Sequence, residues 1–192
     1  LLYGGNTAAQ CAEGTVAARD SPHLLRAQEQ HHFGGDGVRS VSLGFQHVAV
    51  VTTAGRVYAW GRGTRGQLGL GGDFAGVAAR PQLVPIGSAP SSMRAVEVAC
   101  GFGHTTVLLS DGSLHHWGKR QGLGNAAPNK SYPADQTVPR RLKPSDPSVA
   151  FSSLSSGLYH GAALSKDGSR IFVWGSNQHY QLGGHLPQNL LQ

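Results

Sequence analysis

The sequence predicts an all-β protein, a β-propeller of which about three blades and part of another are present. Three observations carry this reading. The three tryptophans of the chain, Trp60, Trp117 and Trp174, stand 57 residues apart, twice. Each follows a hairpin signal whose glycine takes positive φ without steric cost: TAGR with Gly55, SDGS with Gly112 and KDGS with Gly168. The composition, 28 glycines and only 14% charged residues in 192, suits a turn-rich sheet protein better than a helical bundle. A unit of about four short strands cannot bury both faces alone, and radial stacking of such units buries them.

Each element follows from the repeat. The aligned copies read LGFQHVAVVTTAGRVYAWG, CGFGHTTVLLSDGSLHHWG and SGLYHGAALSKDGSRIFVWG. A glycine (Gly44, Gly101, Gly157) stands three residues before a histidine (His47, His104, His160) in each. The apolar runs VAVVT, TVLLS and AALS are strands, the turn follows, and a second strand ends in Trp-Gly. The third copy carries one extra residue between Gly168 and Trp174, which predicts a bulge or a longer turn. Downstream, Pro22, Pro81 and Pro139 each precede an apolar residue by three positions, and each is expected to begin a short edge strand.

Stretches 72–80 and 124–138 are rich in Gly, Ala, Pro and Asn and read as surface loops. LLRAQEQHHF, residues 24–33, is the only helix-like stretch. YGGNTAAQCAEG aligns with WGRGTRGQLGLG at the same offset, so the chain enters in the last third of one repeat. The expected units are 1–37 (tail of a preceding repeat and a connecting loop), 38–94, 95–149 and a partial repeat at 150–192, all in one propeller domain.

The combined motif, G-x-x-H, apolar strand, Asp-Gly turn, V-Y-x-W-G and then G-Q-L-G, resembles the repeat of the regulator of chromosome condensation family. GFQHVAVVTTAGRVYAWGRGTRGQLGLG is the closest copy; the second shortens its tail to QGLG and the third reads YQLG. The Trp-Asp dipeptide and the kelch double glycine of other propellers are missing from the units. The resemblance implies a ring that usually has seven blades, which needs about twice this length. An open arc has two unpaired flanks, so further blades beyond this sequence, or a partner on the edges, are expected. The family's founding member is a guanine-nucleotide exchange factor for a small GTPase, but no exchange-loop motif carries over to these residues. Family members that sense ultraviolet light place tryptophan at the second position of G-x-x-H. Here those positions are Phe45, Phe102 and Leu158, which speaks against light sensing.

Gly61, Gly63 and Gly66 match G-x-G-x-x-G literally. A dinucleotide site also needs a following helix and an acid about 20 residues on, and GTRGQLGLGGDFAG and ARPQLVPIG offer neither. His47, His104 and His160 sit one per repeat at the head of a strand, where each is expected to hydrogen-bond locally and fix a blade turn rather than converge on a metal. His115 and His116 are adjacent in a strand and point to opposite faces. The serines lack a G-x-S-x-G elbow, Asp111 and Asp167 are explained by their turns, and none of the ten acids forms a catalytic pair. Cys11 and Cys100 make no disulfide framework, and Cys100 in VEVACG reads as a buried thiol. No catalytic residue, cofactor or metal ligand is therefore expected.

The net charge of +6 and pI near 9.8 point to an acidic partner or to ordinary solvated charge. Arg62 and Arg65 follow the first Trp-Gly, and Lys119 and Arg120 follow the second, on loops expected to share one rim. Arg140, Arg141 and Lys143 form a second cluster. No aromatic residue lies between these cations in sequence, which speaks against reading of single-stranded nucleic acid. The expected function is a non-catalytic scaffold in a larger, multi-subunit assembly, offering a basic rim to an acidic protein or nucleic-acid surface. Exchange on a small GTPase is the alternative, and a secreted enzyme inhibitor is a third, less favoured for want of a disulfide pattern. No apolar run reaches the ~18 residues of a membrane span, and an intracellular site is expected, whether nuclear, cytosolic, ciliary or organellar.

Overall fold

The computed structural model describes residues 2–4, 19–23, 33–72, 74, 76–86, 93–123 and 135–184. The helix-like stretch at 24–33 lies outside the described residues apart from Phe33, which is in a turn. Among the described residues, thirteen strands form four antiparallel sheets. β1 (Leu2–Gly4) pairs with β2 (Arg19–His23). The first complete blade is β3 (Val38–Leu43), β4 (His47–Thr52), β5 (Val57–Arg62) and β6 (Val77–Leu83), hydrogen-bonded in that order. The second is β7 (Ala95–Cys100), β8 (His104–Leu109), β9 (Leu114–Gly118) and β10 (Gln136–Arg141). The third has β11 (Phe151–Ser156), β12 (His160–Ser165) and β13 (Ile171–Gly175).

The first strands of successive blades lie side by side. Ser42 Oγ accepts from the Cys100 amide at 2.9 Å, Arg39 Nε donates to the Val96 carbonyl at 3.1 Å, and Glu97 Oε2 accepts from the Leu154 amide at 3.1 Å. The fourth strands, β6 and β10, are the outer edges. The core fills the junctions between blades. Trp60, Val57, Leu68, Val84, Val107 and Trp117 belong to one buried cluster, and Leu108, Leu114, Phe151, Leu154 and Trp174 to the next. All six residues of β4 and all six of β8 are buried, because these second strands are covered on both faces.

The turns match the glycine reading: Gly55, Gly112 and Gly168 have φ of 79°, 83° and 72°. The extra residue of the third copy lengthens the turn. The Ser165 amide reaches the Arg170 carbonyl, whereas Thr52 reaches Arg56 and Leu109 reaches Ser113, and the β12–β13 ladder stays in register.

The prolines do not begin their strands. Between Gly61↔Ala78 and Ala59↔Gln82, residues 79–81 of β6 face Trp60 alone, and between Gly118↔Gln136 and His116↔Arg140, residues 137–139 of β10 face Trp117 alone. Pro81 and Pro139 thus close a bulge opposite the tryptophan, and the shift between Leu2↔His23 and Gly4↔Arg19 gives Pro22 the same place opposite Tyr3. A bulge leaves amides out of the ladder, so a residue without an N–H costs nothing there.

Candidate partner-binding rim

Antiparallel pairing gives each blade two rims. One carries the hairpin turns after β4, β8 and β12. The other carries the G-x-x-H loops before those strands and the loops after each Trp-Gly. The second rim is built by close approach. A Cβ on Gly44, Gly101 or Gly157 would strike the ring of His47, His104 or His160, so the glycine lets the imidazole fold back over its own loop. Gly61, Gly118 and Gly175 have φ of 97°, 106° and 100°, and a Cβ on any of them would meet the loop carbonyl of Gln46, Gly103 or Tyr159. The next amides close onto the same carbonyls: Arg62 to Gln46 at 2.8 Å, Lys119 to Gly103 at 2.6 Å and Ser176 to Tyr159 at 2.7 Å.

His47 and His104 reach across blades and not into their own turns, which corrects the local bonding expected of these two, while His160 is only half-buried at the head of β12. His47 Nε2 lies 2.9 Å from Thr105 Oγ1, and His104 Nε2 lies 2.8 Å from Ser156 Oγ. Their rings are buried at the blade junction, so a partner on the next blade is nearer than water. Burial pushes His47 down to about 3 and His104 to about 4, with the neighbouring histidine opposing charge further, so both are neutral at physiological pH. Among the described residues, no group of three or more His, Cys, Asp or Glu could hold a metal ion.

After β5 the segment from Gly63 to Gly72 is a string of turns. The Gly66 amide donates to Gly63 and the Gly69 amide to Gly66, both at 2.9 Å, and the Gln67 carbonyl accepts from Trp117 Nε1 and Thr105 Oγ1, each at 2.9 Å. Its glycines let the loop lie on the next blade, and its carbonyl is committed there. Cys100 is a free buried thiol, pushed up to about 12 by burial.

Aromatic rings line the G-x-x-H loops. Phe45 stacks on Phe102 with centroids 4.6 Å apart and 17° between planes, and Phe102 meets Tyr159 at 5.2 Å. Backbone bonds set the row: the Phe45 amide donates to Gly101, and the Phe102 amide to Leu158. Lys119 Nζ sits 5.2 Å from the Phe102 centroid and 5.1 Å from that of Tyr159, within cation–π range. Arg62 donates to Gln46 Oε1 at 2.8 Å and Thr64 Oγ1 at 3.0 Å beside Phe45. Phe45 and Leu158 are 58% and 59% exposed. Aromatics and cations are therefore interleaved on this rim, against the separation read in the sequence. Each ring comes from a different blade, and Tyr159 stands one place beyond the aligned position.

Arg65 on this rim pairs with Asp135 at 3.5 Å, and Arg120 begins the short 3-10 turn Arg120–Gly122. The other cluster lies elsewhere. Arg140 and Arg141 pair with His116 and His115 along the outer edge, and Lys143 follows toward the turn rim. Asp36, Asp111, Asp146 and Asp167 also sit toward the turn rim, where Asp36 pairs with Arg56 and Asp146 with Arg170. Among the described residues, Asp135 is the carboxylate of the loop rim.

The repeat described as regulator of chromosome condensation (RCC1) matches residues 54–108 in one form and residues 38–67 and 151–181 in a second. The human probable E3 ubiquitin-protein ligase HERC6 is 33% identical over 190 residues, 97% of this chain and 17% of the relative. The Arabidopsis thaliana ultraviolet-B receptor UVR8 is 32% identical over 172 residues, 88% of this chain and 36% of the receptor. Among solved structures, Prp20p of Saccharomyces cerevisiae superposes with a TM-score of 0.76 at 21% identity, over 97% of this chain and 43% of that one. Human WBSCR16 does so with 0.73 at 25%, over 91% and 42%. The chain thus spans less than half the length of these relatives.

Proposed function

Because the chain belongs to the regulator of chromosome condensation (RCC1) repeat family, we propose that it is a non-catalytic interaction propeller that offers its loop rim to an acidic partner inside a larger assembly. The observation that carries this reading is the company of Arg62, Arg65 and Lys119 with exposed Phe45 and Leu158 on one rim across three blades. Exposed apolar groups sharing one rim mark an interaction surface, and cations on the same rim select the charge of what lands there. Arg120 joins the same loop in sequence; Arg140, Arg141 and Lys143 make a separate basic edge. The buried reduced thiol of Cys100 is in keeping with an intracellular site.

The test uses poly-L-glutamate as an acidic probe. Arg62→Ser, Arg65→Ser, Lys119→Ser and Arg120→Ser together are expected to weaken binding about tenfold or more and to flatten its salt dependence. Unchanged affinity and salt dependence would overturn the reading. Guanine-nucleotide exchange is the competing reading. Prp20p is a protein whose structure was reported with its binding to Gsp1p and histones, but a likeness at 21% identity supports the fold alone. The purified chain is expected to leave nucleotide release from a panel of small GTPases unchanged, and acceleration would replace scaffold by exchange factor.

A further inference from the structure

We infer that the loop rim takes an extended acidic peptide carrying a bulky apolar residue, which seats on the aromatic row against the exposed Phe45 and Leu158 side chains of its outer blades while its carboxylates meet Arg62 and Lys119. This deepens the proposal above and rests on its assignment of the rim. The ring row, with steps of 4.6 Å and 5.2 Å, runs across three blades. An extended strand rises about 3.3 Å per residue, so three or four residues cross it. Arg62 stands at the Phe45 end and Lys119 between Phe102 and Tyr159, so carboxylates on either side of an apolar anchor find a cation each. Arg62 bonds only neutral oxygens and Lys119 lies over rings, so neither must give up a carboxylate among the described residues.

Two other occupants fit less well. A single-stranded nucleic acid binds by stacking bases on ring faces. Here Phe102 is faced by Phe45 and Lys119, and Tyr159 by Lys119, so the row offers an apolar floor more than open stacking platforms. A second copy would set cation against cation, since the rim's described carboxylate, Asp135, is already held by Arg65.

The experiment measures fluorescence anisotropy of the full chain with three labelled probes: an acidic decapeptide with one central tryptophan, the same peptide with serine there, and a thymidine decanucleotide. The tryptophan peptide is expected to bind about tenfold or more tighter than either other probe. Phe45→Ser with Leu158→Ser is expected to cancel the preference for tryptophan, and Arg62→Ser with Lys119→Ser to weaken both peptides together. These side chains are at the surface, and unchanged circular dichroism and melting verify that the variants are folded. If the cation variant weakens binding while the apolar variant leaves the tryptophan preference intact, the peptide inference fails and the basic-rim reading stands. If neither variant changes binding, both fail. Equal or tighter binding of the oligonucleotide, or no binding of the tryptophan peptide, also overturns the inference.

Discussion

His47 and Thr105 lie 2.9 Å apart across the junction of the first two complete blades, and the bond between them has a defined direction. Thr105 has one hydroxyl proton, and it is placed to donate to the Gln67 carbonyl at 2.9 Å. The hydroxyl therefore accepts from His47, which must carry its proton on Nε2. One threonine thus ties the strand head of one blade, the loop after its tryptophan and the second strand of the next.

Thr105→Val keeps the shape and removes both bonds. It leaves the His47 Nε2–H buried without its acceptor and the Gln67 carbonyl with Trp117 alone. A loss of about 2–4 kcal/mol is expected, since the one deserted buried polar group costs about 1–3 kcal/mol and the second lost hydrogen bond about 1 kcal/mol. Urea unfolding of the two proteins reads it directly. A change below about 0.5 kcal/mol would show that the tether carries little.

The histidines also set a pH dependence. His47, His104 and His116 are held near 3, 4 and 3 by burial, against 6.5 for an ordinary histidine. Below pH 6.5 the unfolded chain takes up protons that the folded chain refuses. The stabilisation is therefore complete above that pH and is lost as pH falls toward 4. Each neutral histidine contributes about 1.4 kcal/mol per pH unit in that window. Denaturant midpoints are expected to fall steeply from pH 7 to pH 5, and a flat profile would contradict neutral, buried rings.

The tryptophans are equivalent in sequence and unequal in bonding. Trp117 Nε1 donates to Gln67, whereas Trp174 Nε1 is buried with no hydrogen-bond partner among the described residues. Trp117→Phe and Trp174→Phe lose similar ring area. The first is expected to cost about 1 kcal/mol more, the worth of its hydrogen bond. Equal costs would argue that the bond to the preceding loop is idle.

Gly101→Ala tests the G-x-x-H loop. Its methyl would strike the His104 ring and stand 2.7 Å from the Gly157 carbonyl. A loss of about 2 kcal/mol or more is expected from such overpacking. Gly76→Ala, with open space around it and no positive φ, is the control and should stay within about 0.5 kcal/mol.

The blade order, the hairpin turns and the tryptophan packing were legible in the sequence because they are local and recur every 57 residues. What recurs between blades was not. His47 finds Thr105 and Phe45 finds Phe102 only once blades are stacked, so no window along the chain contains either pair. Tyr159 escaped alignment because it stands beside Leu158, which holds the equivalent position, and yet it is the tyrosine that reaches Lys119. The prolines were placed at the right strand but the wrong point, since a bulge opposite the tryptophan is a property of two paired strands.

The most direct measurement is an amide chemical-shift map of the labelled chain titrated with the acidic tryptophan decapeptide. Perturbations are expected at Phe45, Gln46, Arg62, Phe102, Lys119, Leu158 and Tyr159, with the turn rim at Asp111, Gly112, Asp167 and Gly168 unmoved. Perturbations confined to the turn rim or to the outer edge at Arg140 and Arg141 would contradict the account.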